Sequence, residues 1–527
     1  MTTSAHVDTF CAESLPPREQ WPVLLPLDYP ERLNCSVELL DRTVVEHGGD
    51  RRAVIGADAT WTYAELADTV QRLSRVLIDW GVVPGNRVLL RAPNNAWLMA
   101  SWLAVLRVGG VVVTTMPLLR RGELEKVVDI ARVQFALVDH RFLEEWSAFD
   151  VPTIVVGGES EDSLEARCAR AKPWMGFVDT AADDICLLAF TSGTTGKPKA
   201  TMHSHADVLA IADTFSRTMV KPTPDDVFSG SPPLAFTFGL GGLVIFPLRA
   251  GASAVLLEAG APPALLAAIA EHRVTCLFTA PTAYRAMLAE LASSSSYDVS
   301  SLCRCVSAGE TLPEATWRAW FDVTGLKLID GIGATEMLHI FISATDDDIV
   351  PGATGRPVPG YEAMVVDDDF TPVGPDVPGR LAVRGPTGCR YLADDRQTVY
   401  VQHGWNVTGD VYTVDADGVF RYVARGDDII VSSGYNIAAP EVEGALLTHE
   451  AVAEVAVIGE PDADRGMIVS AYVVLRDPTA AAPELAAVLQ DHVKATIAPY
   501  KYPRRVTFVQ ELPKTVTGKL QRHRLRS

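Results

Sequence analysis

The stretch Ile185-Cys186-Leu187-Leu188-Ala189-Phe190-Thr191-Ser192-Gly193-Thr194-Thr195-Gly196-Lys197-Pro198-Lys199 carries the reading of the fold. Its first six residues are apolar, as expected of a strand buried on both faces of a parallel sheet. The nine that follow hold two glycines, four hydroxyl side chains and two lysines. Glycine lets backbone amides approach a phosphate closely, hydroxyls donate to its oxygens, and lysine offsets its charge. A strand that empties into such a loop is a polyphosphate-holding corner of an α/β protein. The spacing is not that of a Walker A loop: two residues separate Gly193 from Gly196, and Pro198 stands where Ser or Thr should follow the lysine. P-loop kinase and ATPase chemistry is thereby disfavoured.

The same grammar, an apolar run, then Gly, Pro or Ser, then a helical period, recurs on the C-terminal side. Val274 to Phe278 leads through Pro281 into Ala283 to Leu291, and Arg304 to Ser307 leads through Gly309 into a helix near Glu314 to Phe321. A helical period runs over Thr62 to Trp80, with Thr62 placed to cap it. Another follows Ser204, where Val208, Ile211, Ala212 and Phe215 share a face that reads as core. Phe228 to Leu257 is the most apolar region, but Pro232, Pro233, Pro247 and Arg249 predict strands and turns in a core rather than a membrane span. Short strands separated by Asp, Gly and Pro turns mark Tyr361 to Arg384 as a β-rich subdomain. Beyond Asp427, Val452 to Ile458, Ile468 to Leu475 and Arg505 to Val509 read as strands and Glu484 to Lys494 as a helix. The expected fold is therefore α/β: a large N-terminal domain over 1–426, built of parallel-sheet subdomains and a β-rich subdomain, and a small mobile α+β domain over 427–527.

Composition excludes several classes. The 527 residues are 48% hydrophobic, enough for large cores, and 46 basic against 66 acidic residues give a net charge of −20, which repels nucleic acid and anionic membrane. The eight cysteines show no CxxC pairing and predict a reduced, cytoplasmic protein. Cys303 and Cys305 alternate along an expected strand and read as buried structural thiols. Met1 to Glu13 has neither the basic start nor the apolar stretch of a signal peptide.

The loop Thr191 to Lys199 resembles the signature of the acyl-adenylate-forming superfamily, which includes acyl-CoA ligases, luciferases and peptide-synthetase adenylation domains. Further segments match that family in order and spacing: Gly331-Ile332-Gly333-Ala334-Thr335-Glu336, Gly352 to Gly360, Thr408-Gly409-Asp410, Arg425-Gly426-Asp427-Asp428 and Pro513 to Lys519. The resemblance implies ATP, Mg2+ and coenzyme A as cofactor and co-substrates. It implies that Thr191, Ser192, Gly193, Thr194, Thr195, Gly196 and Lys197 hold phosphate, that Thr335 donates to the α-phosphate and that Glu336 holds Mg2+. Gly309, Glu310, Asp330 and Gly331 would border adenine, and Asp410, assisted by Arg425, would accept the ribose hydroxyls. Where relatives often carry an aromatic beside adenine, this chain has Ile332. Lys519 matches the lysine that reaches the carboxylate and α-phosphate oxygens, a task suited to a point charge on a long stem. Asp427 matches the hinge about which the small domain turns between half-reactions, bringing Ser433, Gly434 and Tyr435 to the pantetheine tunnel. The lysine segment also resembles sites modified by protein acetyltransferases, which would erase that charge.

The acid pocket implied by the resemblance is lined by Phe236, Thr237, Phe238, Ala308, Gly333, Leu338 and His339, aromatic-sized and mostly apolar. Peptide-synthetase domains that select α-amino acids place Asp where Thr237 stands, so an α-amino acid does not fit. Asp330 to Ser343 is similar to benzoate-CoA ligases, and Thr201-Met202-His203 and Leu15 to Trp21 are similar to their 2-aminobenzoate-CoA ligase relatives. His339 either meets a ring substituent or carboxylate or is a buried structural histidine. The resemblance implies an aryl-acid:CoA ligase acting on 2-aminobenzoate or benzoate. The alternatives are a stand-alone adenylation enzyme that loads a phosphopantetheinyl carrier protein, and a non-enzymatic or luciferase-like relative.

Overall fold

A computed structural model describes residues 3–191, 198–293, 297–432, 435–462, 466–497, 499–514 and 520–525. The chain forms two compact units: Met1–Leu312 with Thr316–Ala363 and Val383–Asn406, and Pro313–Ala315 with Met364–Ala382 and Val407–Ser527. The boundary expected at 426/427 falls inside the second unit, because strand Trp405–Val414 already carries the chain from one unit to the other.

Fifteen strands of the first unit are β1 Arg52–Ile55, β2 Thr60–Thr62, β3 Arg87–Arg91, β4 Val111–Thr115, β5 Phe135–Asp139, β6 Thr153–Val156, β7 Ile185–Thr191, β8 Lys199–Ser204, β9 Val227–Gly230, β10 Ser253–Val255, β11 Cys276–Thr279, β12 Arg304–Ser307, β13 Leu328–Gly333, β14 Ile340–Ser343 and β15 Arg356–Pro357. They make a six-stranded sheet in the order β6-β5-β3-β4-β7-β8 and a nine-stranded sheet in the order β15-β14-β13-β12-β11-β9-β10-β1-β2. The centres of both are parallel, and helices cover them, so β3 and β4 are buried at every position, as continuous apolar runs require. The helix expected over Thr62 to Trp80 is Tyr63–Asp79. Thr62 accepts from the Glu65 amide while the Glu65 side chain returns to the Thr62 amide, a capping box that stabilises the start by about 1 kcal/mol.

Three expectations change. The phosphate-type loop does not open a helix. β8 runs antiparallel to β7 with Thr191 opposite Lys199, so the loop closes a hairpin, and the helix His205–Ile211 begins only after it, capped by Ser204. The region Phe228 to Leu257 has the expected strands at its ends, in β9 and β10, but its middle is helical, as Thr237–Leu240, a π turn Gly241–Ile245 and Phe246–Ala250. The three are contiguous, and Pro247 lies inside this helical run directly after the π turn, with Ile245 before it already helical at φ −67°, ψ −48°. Cys305 is buried, but Cys303 is exposed: β12 starts at Arg304, so the inward–outward alternation never reaches Cys303. All eight cysteines are free.

In the second unit, Trp405–Val414 and Phe420–Arg425 form an antiparallel hairpin over Asp410 to Arg425. A further sheet joins Tyr435–Ala438, Ile429–Ser432, Gly466–Leu475 and Val452–Asp462 in that order, with Arg505–Phe508 parallel to Gly466–Leu475. Helices Ala439–Leu447 and Pro483–Thr496 cover it through Val442, Leu446, Leu489 and Val493 against Val457, Val469 and Val473. No helix among the described residues is long and apolar enough to cross a membrane.

Candidate active site

The site in the first unit grows from the carboxyl ends of β7, β12 and β13. β13 and β14 are an antiparallel hairpin with Gly333 opposite Ile340, and its connection carries Ala334 to His339. The connection is tight. Leu338 has φ +68°, and a Cβ on Gly333 would lie 2.8 Å from the His339 carbonyl oxygen, so only glycine fits there. Thr335–Met337 forms a single 3-10 turn. His203, fully buried on β8, donates from Nε2 to the Thr335 carbonyl at 2.8 Å and holds the turn against the β7–β8 hairpin. Burial lowers its pKa to about 4, so the ring stays neutral.

Glu336 is 7% exposed. Its Oε1 accepts from the Tyr391 hydroxyl at 2.5 Å and lies 3.0 Å from Lys199 Nζ. Lys199 also donates to the Tyr391 hydroxyl and sits 4.3 Å from the Tyr391 ring centroid. Burial beside this carboxylate raises the Tyr391 phenol far above its ordinary range, so it serves as a donor. Tyr391 is held by backbone pairing of Thr201 with Tyr391 and of Ala200 with Leu392. An ionised carboxylate offers about four lone-pair sites, of which Tyr391 and Lys199 use two. Oxygen ligands of this kind suit Mg2+, and the Thr191 hydroxyl on the neighbouring β7 has no partner among the described residues. The donor set thus fits the ion that accompanies a polyphosphate. Ser192 to Lys197 lie outside the described residues.

Gly309 and Glu310 follow β12. Gly309 takes φ +89°, and Glu310 accepts from the Thr282 amide at 3.3 Å and hydroxyl at 3.4 Å, capping the helix Pro281–Ser293. Asp330 is level with Ser307 across β12 and β13. Its Oδ1 is shut off from solvent without a hydrogen bond among the described residues, and this burial pushes the carboxyl up to about 7. Gly331 continues the same strand.

The predicted pocket residues Phe236, Thr237 and Phe238 are half-buried, while Ala308, Leu338 and His339 are buried and Gly333 is exposed. His339 stands among rings: its centroid is 4.7 Å from Phe246, 5.2 Å from Phe215 and 5.7 Å from Phe238. Phe278 in turn packs on Phe238 and Phe246. The ring faces the Phe238 backbone carbonyl, a contact too poorly aligned to make a full hydrogen bond, and burial outweighs it and lowers the His339 pKa to about 3. Gly241 and Gly242 make this approach possible: a Cβ would fall 2.4 Å from His339 Cδ2 at one and 2.5 Å from Phe278 Cδ1 at the other. Lys199, Tyr391, Phe246, Phe278 and the two glycines were not singled out by sequence reasoning. Lys199 was within the quoted loop, and the Gly241-Gly242 pair beside Phe246 was the available signal.

In the second unit, Asp410 and Arg425 face each other across the hairpin, Arg425 Nη1 donating to Asp410 Oδ1 at 3.1 Å. Asp427 belongs to the turn Gly426–Asp428 that joins two strands. Its neighbour Asp428 pairs with Arg522 at 3.1 Å, and Arg522 also binds Glu443 at 2.8 Å, which ties the chain just after Lys519 to the end of that turn. Lys519, Ser433 and Gly434 lie outside the described residues, and Tyr435 opens the strand Tyr435–Ala438.

Glu336 on the β13–β14 connection, Lys199 at the start of β8 and Tyr391 paired with β8 thus form one buried carboxylate–lysine–tyrosine cluster in the first unit, and the second unit holds the Asp410–Arg425 pair. The chain belongs to the AMP-binding enzyme family, whose model matches residues 40–391, and the AMP-binding enzyme C-terminal domain matches residues 441–519. The family is one of ATP- and CoA-dependent adenylating ligases, with Mg2+ the usual partner of ATP. Benzoate–CoA ligase of Thauera aromatica is 36% identical, covering 94% of this chain and 96% of that one. The anthranilate CoA ligase AuaEII, solved with anthranoyl-AMP, superposes with a TM-score of 0.90 at 34% identity over 94% of this chain and 97% of its own. A benzoate CoA ligase from Burkholderia xenovorans LB400 does so with a TM-score of 0.86 at 31% identity over 94% and 100%.

Proposed function

We propose that this protein is an aryl-acid:CoA ligase that activates 2-aminobenzoate or benzoate, with 2-aminobenzoate slightly favoured. The observation that carries the reading is the cage of Phe215, Phe238 and Phe246 around a neutral His339, on the same loop as Glu336. Flat walls suit a planar ring, and a neutral imidazole that meets no group but the Phe238 backbone keeps a ring nitrogen for a carboxylate oxygen or an ortho amino group. The similarity to the benzoate and anthranilate ligases supports the same substrate class.

In the first half-reaction an oxygen of the aryl carboxylate attacks the α-phosphorus of ATP; a new P–O bond forms, the bond to the β-phosphate oxygen breaks, and pyrophosphate leaves. Two anions meet, so the site must neutralise charge and hold the reactants in line. Glu336 would hold Mg2+, Thr335 would donate to the α-phosphate, and Lys199 would pair with the Glu336 carboxylate and orient it. Lys519 would supply the positive charge between carboxylate and phosphate, while Asp410 and Arg425 hold the ribose. In the second half-reaction the CoA thiol loses its proton, its sulfur bonds to the acyl carbon, and AMP leaves. A lysine required first would block the thiol, so the segment from Asp427 onward would turn, admitting Ser433, Gly434 and Tyr435 to the tunnel. On this reading 1–426 and 427–527 act as the fixed and the moving part.

The test is incubation with Mg-ATP and a panel of benzoate, 2-aminobenzoate, hydroxybenzoates, cinnamates and octanoate, with and without CoA, following AMP and thioester by chromatography. Aroyl-CoA formed in step with AMP supports the ligase and ranks the acids. Adenylate that ignores free CoA and reacts with a phosphopantetheinyl protein would replace it with a carrier-loading enzyme. Lys519→Ala is expected to abolish adenylate formation yet leave thioester formation from supplied acyl-adenylate; equal loss of both would remove Lys519 from its role.

A further inference from the structure

Away from the nucleotide corner, the first unit encloses three side chains with thiophilic ligand atoms. Cys35 begins the helical segment that runs into the π turn Val37–Asp41, Cys186 is the second residue of β7, and His205 opens the helix after β8. Each is 0% exposed. The two sulfur atoms and a ring nitrogen all lie within 4.8 Å of one another. His205 Nδ1 is 3.1 Å from Cys35 Sγ and also receives the Cys35 backbone N–H at 3.2 Å. Nδ1 is therefore the acceptor nitrogen, its one lone pair now taken by the Cys35 amide beside the sulfurs, so that an ion bound there would displace this N–H; the ring proton sits on Nε2, which has no partner among the described residues.

Buried cysteines are usually small core residues, and Cys276 and Cys305 are of that kind. Here three elements distant in sequence converge their only ligand atoms on one point. With metal–sulfur and metal–nitrogen bonds of about 2.3 and 2.0 Å, the donors of a tetrahedral ion stand about 3.5–3.8 Å apart, within the spread observed. Charge decides the kind of ion. Two thiolates and a neutral imidazole cancel a divalent charge, which a buried site requires, the fourth tetrahedral position falls to a water or other small ligand, and sulfur ligands exclude Mg2+ and Ca2+.

We propose that Cys35, Cys186 and His205 hold one thiophilic divalent cation of the zinc class, which clips the N-terminal segment to the β7–β8 hairpin. Binding forms two metal–sulfur bonds and one metal–nitrogen bond and releases the two thiol protons to solvent, with no change of oxidation state. The site stands apart from the adenylating chemistry and does not depend on which acid is activated.

The experiment treats the full-length protein with chelator, then loads it with Co2+ or Cd2+ and removes excess ion. Metal per chain, protons released, and the near-ultraviolet thiolate-to-metal charge-transfer band are read together. One ion per chain, two protons per ion, and a band lost in the Cys35→Ala/Cys186→Ala variant are expected, with a melting temperature raised by the ion only in the unmodified protein. A band of equal strength in the variant, or stoichiometric metal with no band, overturns the assignment. Should the variant not fold, X-ray absorption at the zinc edge of the unmodified protein decides: two sulfur neighbours and one imidazole support the site, and an oxygen-only shell or absent zinc rejects it.

Discussion

Glu336 and His339 stand on one short hairpin connection, yet their surroundings are opposite. Glu336 is met by Tyr391 and Lys199, while His339 is walled by Phe215, Phe238 and Phe246 and meets no charged group, its polar neighbour being the Phe238 backbone. The difference teaches how the loop separates two tasks. An ionised group survives burial only with a partner charge, so the carboxylate side is a preassembled polar corner. The imidazole survives by giving up its proton, with its pKa lowered to about 3, so its side stays apolar and uncharged. On the proposed reaction the two environments would lie side by side because the carboxylate of an aryl acid must meet the α-phosphate of ATP.

Lys199→Met breaks the contrast most severely. It strands a buried carboxylate, and the expected loss is about 3–5 kcal/mol of stability in chemical denaturation, together with most adenylation. Adding Glu336→Gln should restore much of the stability and none of the activity; independent, additive losses would show that the two side chains are not coupled. Gly241→Ala attacks the other side. Its methyl would enter the space of His339 Cδ2 at 2.4 Å, so a loss of about 1–3 kcal/mol and a raised KM for the aryl acid, with KM for ATP unchanged, are expected from steady-state kinetics.

His339→Leu sharpens the comparison. Removing this buried polar ring should change the stability of the free protein by less than about 1 kcal/mol while weakening acid binding, and a clearly larger loss would mean that the bond to the Phe238 carbonyl is fully formed in solution. The smallest effect concerns pH. Asp330 titrates near 3.8 when unfolded and about 7 when folded, so the folded state holds the extra proton in that window and stability falls as pH rises through it. The buried histidines act in the opposite sense, costing stability as pH falls below 6.5. Asp330→Asn should flatten the alkaline-going decline in melting temperature, and an unchanged profile would place that carboxyl in contact with water.

Much of the site was legible because its chemistry requires particular residue types close together in sequence. Thr335 and Glu336 share one turn, and Gly331 and Asp330 share one strand. Arg425 was less legible as a neighbour of Asp410, because only the hairpin register brings the two opposite each other. Tyr391 was illegible: it reaches Glu336 by pairing with β8, and no local pattern distinguishes that tyrosine from a core aromatic. The helix Thr237–Leu240 and the π turn after it were missed for a related reason. Prolines and glycines read as turn formers, but here the glycines serve close packing against His339 and Phe278.

What the amino-acid order determined by itself was the succession of apolar strands and capped helices, and the hydroxyl- and glycine-rich loop, since local periodicity and turn chemistry act between near neighbours. What only the tertiary structure decided was which charges meet and which are left without a partner. Lys199 neutralises Glu336, His203 holds Thr335, and Cys35 finds Cys186 and His205, through strand register and long-range packing. The physical reason is that burial and pairing energies depend on distance in space, and a folded chain sets those distances independently of separation along it.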